Sequence, residues 1–514
     1  MKSYFDVIVV GAGSAGSVIA SRLTEDGACR VGLIEAGDWP CDPDISDPLK
    51  WRELPGREYD WAYRTVPQPG TYGRVHDWPR GRIVGGSSCM NAMAHVRGHP
   101  ADFAPWAAAG GDAWSYNALL PAFIRSETFQ AFQSPEHGYD GPLDVYLPSE
   151  EVSPIVRCFM AAGIDIGAPE LRDHNSGRLV GVSVNSLNIR NGRRVSAADA
   201  YLPPQVLARP NLTVLTGYEV SHLEIQGNKA GKIVATGGKA AVELSAGRFV
   251  LCCGAVATPL LLMRSGIGDP DSLKNADILC KIPNLDVGRN LQDHLLGLGN
   301  IYYSKYPVPP SKLQHSESLM YLNSDNISEP SAQPDIVLAC VVAPVAAPGL
   351  PTPPHGAAYT ILFGATAPTS RGRILPSGPN PANPPIIDPR YLDTDNDRSK
   401  FRRAFKFARE LGHHQAFINW RAEEALPGPT VGSDAEIDAF IARAVGTHHH
   451  PCGTCRMGLD ADAVVSPDLK LNGLDNVFVV DASVIPQIPS GPIHASVVAI
   501  AENWTTAARK RDFW

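Results

Sequence analysis

Phe5-Asp6-Val7-Ile8-Val9-Val10-Gly11-Ala12-Gly13-Ser14-Ala15-Gly16 decides how this 514-residue chain begins to fold. The apolar run 5–10 reads as a strand, and the glycines lead into a helix from about Ala15 to Asp26. Arg30-Val31-Gly32-Leu33-Ile34-Glu35 is a second strand that ends on an acid. In that order these pieces spell a βαβ unit that binds a dinucleotide. Gly11 permits the tight turn, Gly13 lets the backbone approach a pyrophosphate, and Gly16 lets helix and strand pack closely. The helix N-terminus, at Ser14 and Ala15, turns free N–H groups toward the phosphates. Glu35, with Ala36 beside it, sits where a carboxylate accepts hydrogen bonds from ribose hydroxyls.

At the other end stands Thr447-His448-His449-His450-Pro451-Cys452-Gly453-Thr454. A histidine base beside a redox cofactor suits alcohol oxidation, in which a proton and a hydride leave the substrate. In an extended segment, residues two apart share a side, so His448 and His450 are expected in one site and His449 facing away.

The composition fits an enzyme. The chain is 44% hydrophobic and 19% charged, long enough for two domains or for one folded into another. A net charge of -8 and the lack of a Lys/Arg run argue against nucleic acid. Ten cysteines over this length make no disulfide framework. Cys452 and Cys455 form a C-x-x-C, but no second pair completes a zinc site, so both read as buried thiols and no metal is expected. The first strand starts too early to leave room for a signal peptide. The most apolar run, Phe249 to Met263, is shorter than the roughly 18–20 residues of a membrane span. The expectation is a soluble, cytoplasmic protein with no membrane partner.

Between the two ends, residues 36–78 lack periodicity and look like a long excursion over the cofactor, whose Trp51, Trp61 and Trp78 need somewhere to pack. Arg80-Gly81-Arg82-Ile83-Val84-Gly85-Gly86-Ser87-Ser88 places glycines and hydroxyls beside two cations, suited to a phosphate or a flavin edge. Helix is expected at 114–126, 398–426 and 494–509. Strands are expected at 213–215, 220–225, 246–253 and 476–481, and an antiparallel sheet within the Pro-rich stretch 326–395.

Several blocks together resemble the glucose–methanol–choline (GMC) oxidoreductases. Pro79 to Asn91 is similar to that family's first signature, and Gly254 to Gly268 to its second. Val287-Gly288-Arg289-Asn290-Leu291-Gln292-Asp293-His294 and Val480-Asp481-Ala482-Ser483 also fit. The resemblance runs from residue 5 to about 505. It implies FAD rather than NAD, on an α/β fold with a Rossmann-like FAD-binding domain (1–140, 190–298 and 440–514, the last carrying the catalytic histidines). An inserted substrate domain, 141–189 and 299–439, would be built on the antiparallel sheet. It implies cofactor contacts from Trp61, Arg80, Gly85, Gly86, Ser87, Asn91, Ala94, Gly254, Asp481 and Ala482, and from Val220, whose backbone meets the adenine. Met90 stands where some relatives carry the histidine that attaches flavin covalently, so FAD is expected to be non-covalent.

The family's base aligns with His450. Its second catalytic position aligns with Pro492, a departure, because proline offers no side-chain donor or acceptor. His448 is then the first candidate to orient the alcohol. His494 is the second, though it is expected rather to start the last helix or touch the flavin. Three histidines with that proline resemble members that oxidise the hydroxymethyl group of pyridoxine and pass electrons to O2. A choline-type FAD dehydrogenase using another primary alcohol and a quinone-type acceptor is the alternative.

Overall fold

The computed structural model describes residues 4–237 and 240–510. Among them the chain builds two seven-stranded sheets. The first holds β1 (Tyr4–Val10), β2 (Val31–Ile34), β3 (Leu212–Leu215), β4 (Glu219–Gln226), β5 (Lys229–Gly237), β6 (Ala240–Leu251) and, near the C-terminus, a strand at Val477–Val479. Their order is β3-β2-β1-β6-β5-β4, with Val477–Val479 also on β6. β2, β1, β3 and Val477–Val479 pair in parallel, while β4, β5 and the first half of β6 form an antiparallel meander.

The apolar run of β1 explains its central place. Val7, Ile8 and Val9 are wholly buried between parallel neighbours, as a strand covered on both faces must be. α1 (Ser14–Leu23) follows β1, and α2 (Gly254–Arg264) follows β6. α1 ends three residues earlier than its sequence pattern implied.

The second sheet is antiparallel throughout. It uses β7 (Leu295–Gly297), β8 (Ile301–Ser304), β9 (Ser316–Leu322), β10 (Ile336–Val341), β11 (Ala358–Ala365), β12 (Arg421–Leu426) and β13 (Val445–Thr447). The order is β9-β10-β11-β7-β13, and β8 joins β11 to β12. β7 and β13 lie beside the expected domain limits at 298 and 440, and both hydrogen-bond within this sheet.

The helix expected over 398–426 needs correction. α3 runs Asp395–His413, and the chain turns extended at His414 (φ -62°, ψ 151°). Arg421–Leu426 pairs with β8 instead. Its Ala and Glu residues favour helix, but intrinsic propensity is a weak preference that ladder pairing overrides. A last helix, α4, covers His494–Lys510. It returns to α1 through buried Glu502, which receives Arg22 Nη2 at 2.7 Å and the Tyr201 hydroxyl at 2.9 Å. N-terminal and C-terminal segments thus close one core. The 36–78 excursion crosses to the second core, where Trp78 is fully buried and donates to the Tyr391 hydroxyl at 2.9 Å. No helix among the described residues is long and apolar enough to cross a membrane.

Candidate active site

At the glycine turn, Gly11 adopts φ +97°, and a Cβ there would meet the carbonyl oxygen of Cys252 at 2.6 Å. A Cβ on Gly16 would lie 1.8 Å from the Gly11 carbonyl oxygen, so the strand–helix contact depends on its absence. Gly13 caps the start of α1 without a side chain, and no acid stands in the first turn. Its first N–H groups are therefore left to an anion. Glu35 accepts the N–H of Ala12 at 2.8 Å and of Gly37 at 3.0 Å. Burial pushes its carboxyl up to about 7, against those two hydrogen bonds. Its first structural task is thus to hold the turn. Ala36, half-buried, follows it. The carbonyl of Glu35 receives Tyr218 N–H at 2.9 Å, which brings β2 beside the chain entering β4 and Val220.

Segment 80–88 folds onto this turn. Gly85 N–H donates to the Ala12 carbonyl at 2.8 Å, and a Cβ on Gly86 would stand 2.8 Å from Gly13 Cα. Ser87 Oγ accepts Gly81 N–H at 3.2 Å. Trp61 stacks on Tyr63 with Arg82 over its ring. Asn91 accepts from Arg194, Ala94 bridges to Leu187, and Met90 is buried among Ile45, Leu54 and Tyr59. Gly254 N–H and Thr258 Oγ1 both donate to Asp481 Oδ2, at 2.8 and 2.6 Å, and Gly453 N–H donates to the Ala482 carbonyl at 3.1 Å. Asp481 therefore anchors the start of α2.

The histidines leave β13, and their backbone differs from expectation. His449 takes φ +65°, a left-handed conformation, with an exposed side chain. The segment is not extended, yet the His448 and His450 rings lie 4.3 Å apart between centroids. The turn, rather than strand alternation, brings them together.

Asp293, just before β7, holds that turn. Its carboxylate accepts His450 N–H at 2.8 Å, Thr447 Oγ1 at 2.6 Å and Tyr391 OH at 2.6 Å. His448 N–H donates to the His294 carbonyl at 2.8 Å. His294 Nε2 lies 2.8 Å from the Thr366 carbonyl, and its Nδ1 lies 3.0 Å from His450 Nδ1.

Those contacts fix the protons. A carbonyl only accepts, so His294 carries its proton on Nε2. In the neutral ring Nδ1 is then bare, and it can only accept from His450. His450 is thus protonated on Nδ1, and its Nε2 keeps a free lone pair. Neutrality follows from burial, which lowers His294 to about 4 and holds His448 and His450 well below the usual imidazole range. Neighbouring imidazoles lower His448 and His450 further.

Asp293, His294, Thr366 and Tyr391 were not singled out as site residues from sequence. Asp293 and His294 lie in the block Val287–His294, and their position next to an apolar strand is the available signal. Thr366 and Tyr391 carry no local signal.

Segment 80–88 also joins the two ends. Its glycines touch the α1 turn, while the Arg80 charge acts on Asp293, His449 and His450. The loop bearing Pro492, itself buried, is tied to the segment of Asp293: Gln292 Nε2 donates to the Pro486 carbonyl at 3.1 Å, and Ile488 N–H to Gln292 Oε1 at 3.1 Å. Ser490 N–H and Oγ each donate to Asp102 at 2.7 Å. Both ring nitrogens of His494 and two guanidinium nitrogens of Arg80 are buried without a protein partner. Buried polar atoms of this kind need a partner. With the uncapped start of α1 and the Cβ-free contact at Gly86, they fit a polar, anionic dinucleotide such as FAD.

The family model described as GMC oxidoreductase matches residues 5–296 with its N-terminal part and 368–501 with its C-terminal part. A pyridoxine 4-oxidase of Microbacterium luteolum is 50% identical over 503 residues, covering 98% of this chain and 99% of that one. The crystal structure of pyridoxine 4-oxidase from Mesorbium loti is 52% identical, covers 98% of this chain and 99% of its own, and superposes with a TM-score of 0.97. The mitochondrial choline dehydrogenase of Mus musculus is 35% identical, over 98% of this chain and 89% of its own. The chain belongs to the GMC oxidoreductase family.

Proposed function

We propose that this protein is an FAD-dependent alcohol oxidase that converts the 4-hydroxymethyl group of pyridoxine to the aldehyde and passes the electrons to O2, giving H2O2. The observation that carries the alcohol chemistry is the chain Thr366 C=O, His294, His450, which leaves a lone pair on His450 Nε2. The pyridoxine assignment rests on likeness to the two pyridoxine 4-oxidases.

FAD, when bound, supplies the two-electron acceptor for the carbinol hydride. Its phosphates would lie at Gly11, Gly13, Ser14, Ala15 and Gly16, its adenosine by Glu35, Ala36 and Val220, and its ring system near Trp61, Arg80, Gly85–Ser87, Asn91, Ala94, Gly254, Asp481, Ala482 and His494. The first sheet is read as the cofactor domain, the second as the substrate domain.

An alcohol hydroxyl holds its proton too tightly for hydride to leave readily. His450 Nε2 accepts that proton as the carbinol C–H bond breaks, a contribution of roughly 10²–10⁴-fold. His294 keeps His450 in the productive tautomer, and Asp293 fixes its backbone. His448 orients the hydroxyl oxygen, since Pro492 shapes the pocket without a polar group.

The test is anaerobic mixing of the holoenzyme with pyridoxine, choline and benzyl alcohol. Pyridoxine is expected to bleach the flavin, and readmitted air to restore colour with one H2O2 per aldehyde. Bleaching by choline alone would replace the substrate. Reoxidation by a quinone but not by air would replace the acceptor. Acid precipitation is expected to release intact FAD into the supernatant, and flavin retained in the pellet would refute non-covalent binding.

A further inference from the structure

His294, His448 and His450 each bring a ring nitrogen within 4.8 Å of the other two. His294 is presented as metal-ligating histidines usually are: its Nε2–H is held by the Thr366 carbonyl at 2.8 Å, which fixes the ring and aims the Nδ1 lone pair inward. We propose that these three imidazoles bind one borderline divalent cation, Zn²⁺ or Cu²⁺, and that binding switches the base off.

Three histidines with an open fourth position are a known zinc ligand set. Zinc–nitrogen bonds of about 2.0–2.1 Å in a tetrahedron place the nitrogens about 3.4 Å apart. His294 Nδ1 and His450 Nδ1 stand 3.0 Å apart, so that pair opens by about 0.4 Å to reach this spacing, and the His448 ring swings in to complete the set. The cation takes the place of the proton between those two atoms. The bond that breaks is Nδ1–H of His450, and the bond that forms is Nδ1–metal. The proton moves to Nε2 of the same ring, so no proton is released from the ring. Nε2 then has no lone pair for a hydroxyl. Cys452 and Cys455 take no part: both thiols are buried in the first core.

Binding and inhibition are measured separately, and only the inhibition arm rests on the proposed role of His450. The holoenzyme carries Cys41→Ser to remove an exposed thiol. Calorimetric titration with Zn²⁺ is expected to show one site per chain. His294→Phe and His448→Asn should each weaken it by more than the roughly 10–100-fold that loss of an outer-shell partner costs. His449→Gln, outside the trio, should leave it unchanged. Frozen-solution electron paramagnetic resonance with one equivalent of Cu²⁺ should show coupling to three imidazole nitrogens, which tests the site without a variant. Alcohol-driven flavin reduction should fall in proportion to Zn²⁺ occupancy and return with EDTA, FAD staying bound.

Absence of one-to-one binding, binding indifferent to both variants, or fewer than three coupled nitrogens overturns the site. Zn²⁺ bound there with flavin reduction unchanged overturns the switch. An enzyme that no alcohol reduces leaves the calorimetric and resonance arms intact, so failure of the functional reading is told apart from failure of this one.

Discussion

The glycine turn and the histidine turn solve the problem of positioning a polar group in different ways. The first is local: β1, Gly11, α1, β2 and Glu35 follow one another within about three dozen residues, as the βαβ unit requires. Its geometry depends on missing side chains and backbone amides. The second is assembled from four separated stretches, around Asp293-His294, Thr366, Tyr391 and Thr447–His450. Its geometry depends on side chains and one backbone carbonyl that the fold brings together from those stretches. The local device has few distant partners, among them the Cys252 carbonyl and the Gly85 amide. An assembled one is sensitive to each partner, because one wrong tautomer removes the base.

Substitutions at the two turns should therefore differ in kind as well as size. His450→Ala is expected to slow flavin reduction by roughly 10²–10⁴-fold while FAD stays bound, with partial recovery at high pH as hydroxide replaces the base. Stopped-flow reduction by pyridoxine checks this, and an unchanged rate would move the base to His448 or His494.

His294→Phe keeps an aromatic ring at the position but removes the acceptor for His450 Nδ1–H. Loss of that hydrogen bond, about 1–3 kcal/mol where the partner is left buried, corresponds to roughly 5–150-fold in rate. If reduction is as fast as in the parent, the assembled relay is not what orients the base. Glu35→Ala should act at the other end only. It orphans the N–H groups of Ala12 and Gly37 and weakens FAD retention by about 1–3 kcal/mol, with the reduction rate of the FAD-loaded fraction unchanged. Loss of reduction in fully loaded enzyme would mean the two turns are not separable.

The pH dependence sharpens the same contrast. His294 is held at about 4 by burial, against about 6.5 for an ordinary imidazole. Between those values the unfolded chain binds more protons than the folded one. Stability therefore rises with pH across this window and is lost as pH falls through it. Thermal melts at pH 5 and pH 7 should show the lower midpoint at pH 5. The reduction rate should stay level as pH falls through 6.5, and an acid limb centred there would mean His450 titrates like a free imidazole. The smallest effect is expected for Tyr391→Phe. Asp293 keeps its other two donors, but the Trp78 indole N–H loses its acceptor, which should cost a few-fold in rate and a modest fall in melting temperature.

How far each turn could be read in advance follows from the same contrast. The βαβ opening, the buried parallel stretch of β6 and the antiparallel second sheet follow from apolar runs and glycine positions. These act on neighbouring residues and so leave a mark in the order of the chain. The helix expected over 398–426 failed from His414 onward, nearly half its length, because pairing with β8 is a long-range contact that Ala and Glu at 422–425 do not announce. His450 was legible through the resemblance. The closeness of His448 was expected on strand alternation, but a left-handed His449 brings it about.

The sequence by itself determined that a dinucleotide fold opens the chain, that imidazoles stand near its end, and that Pro492 cannot supply a second polar group. The tertiary structure alone decided which nitrogen of His450 is free. That choice depends on a carbonyl at Thr366 and a ring at His294, and on Asp293 gripping the turn. Such contacts form only when strands from distant parts of the chain pack together, since hydrogen-bond partners are set by distance in space and not along the chain.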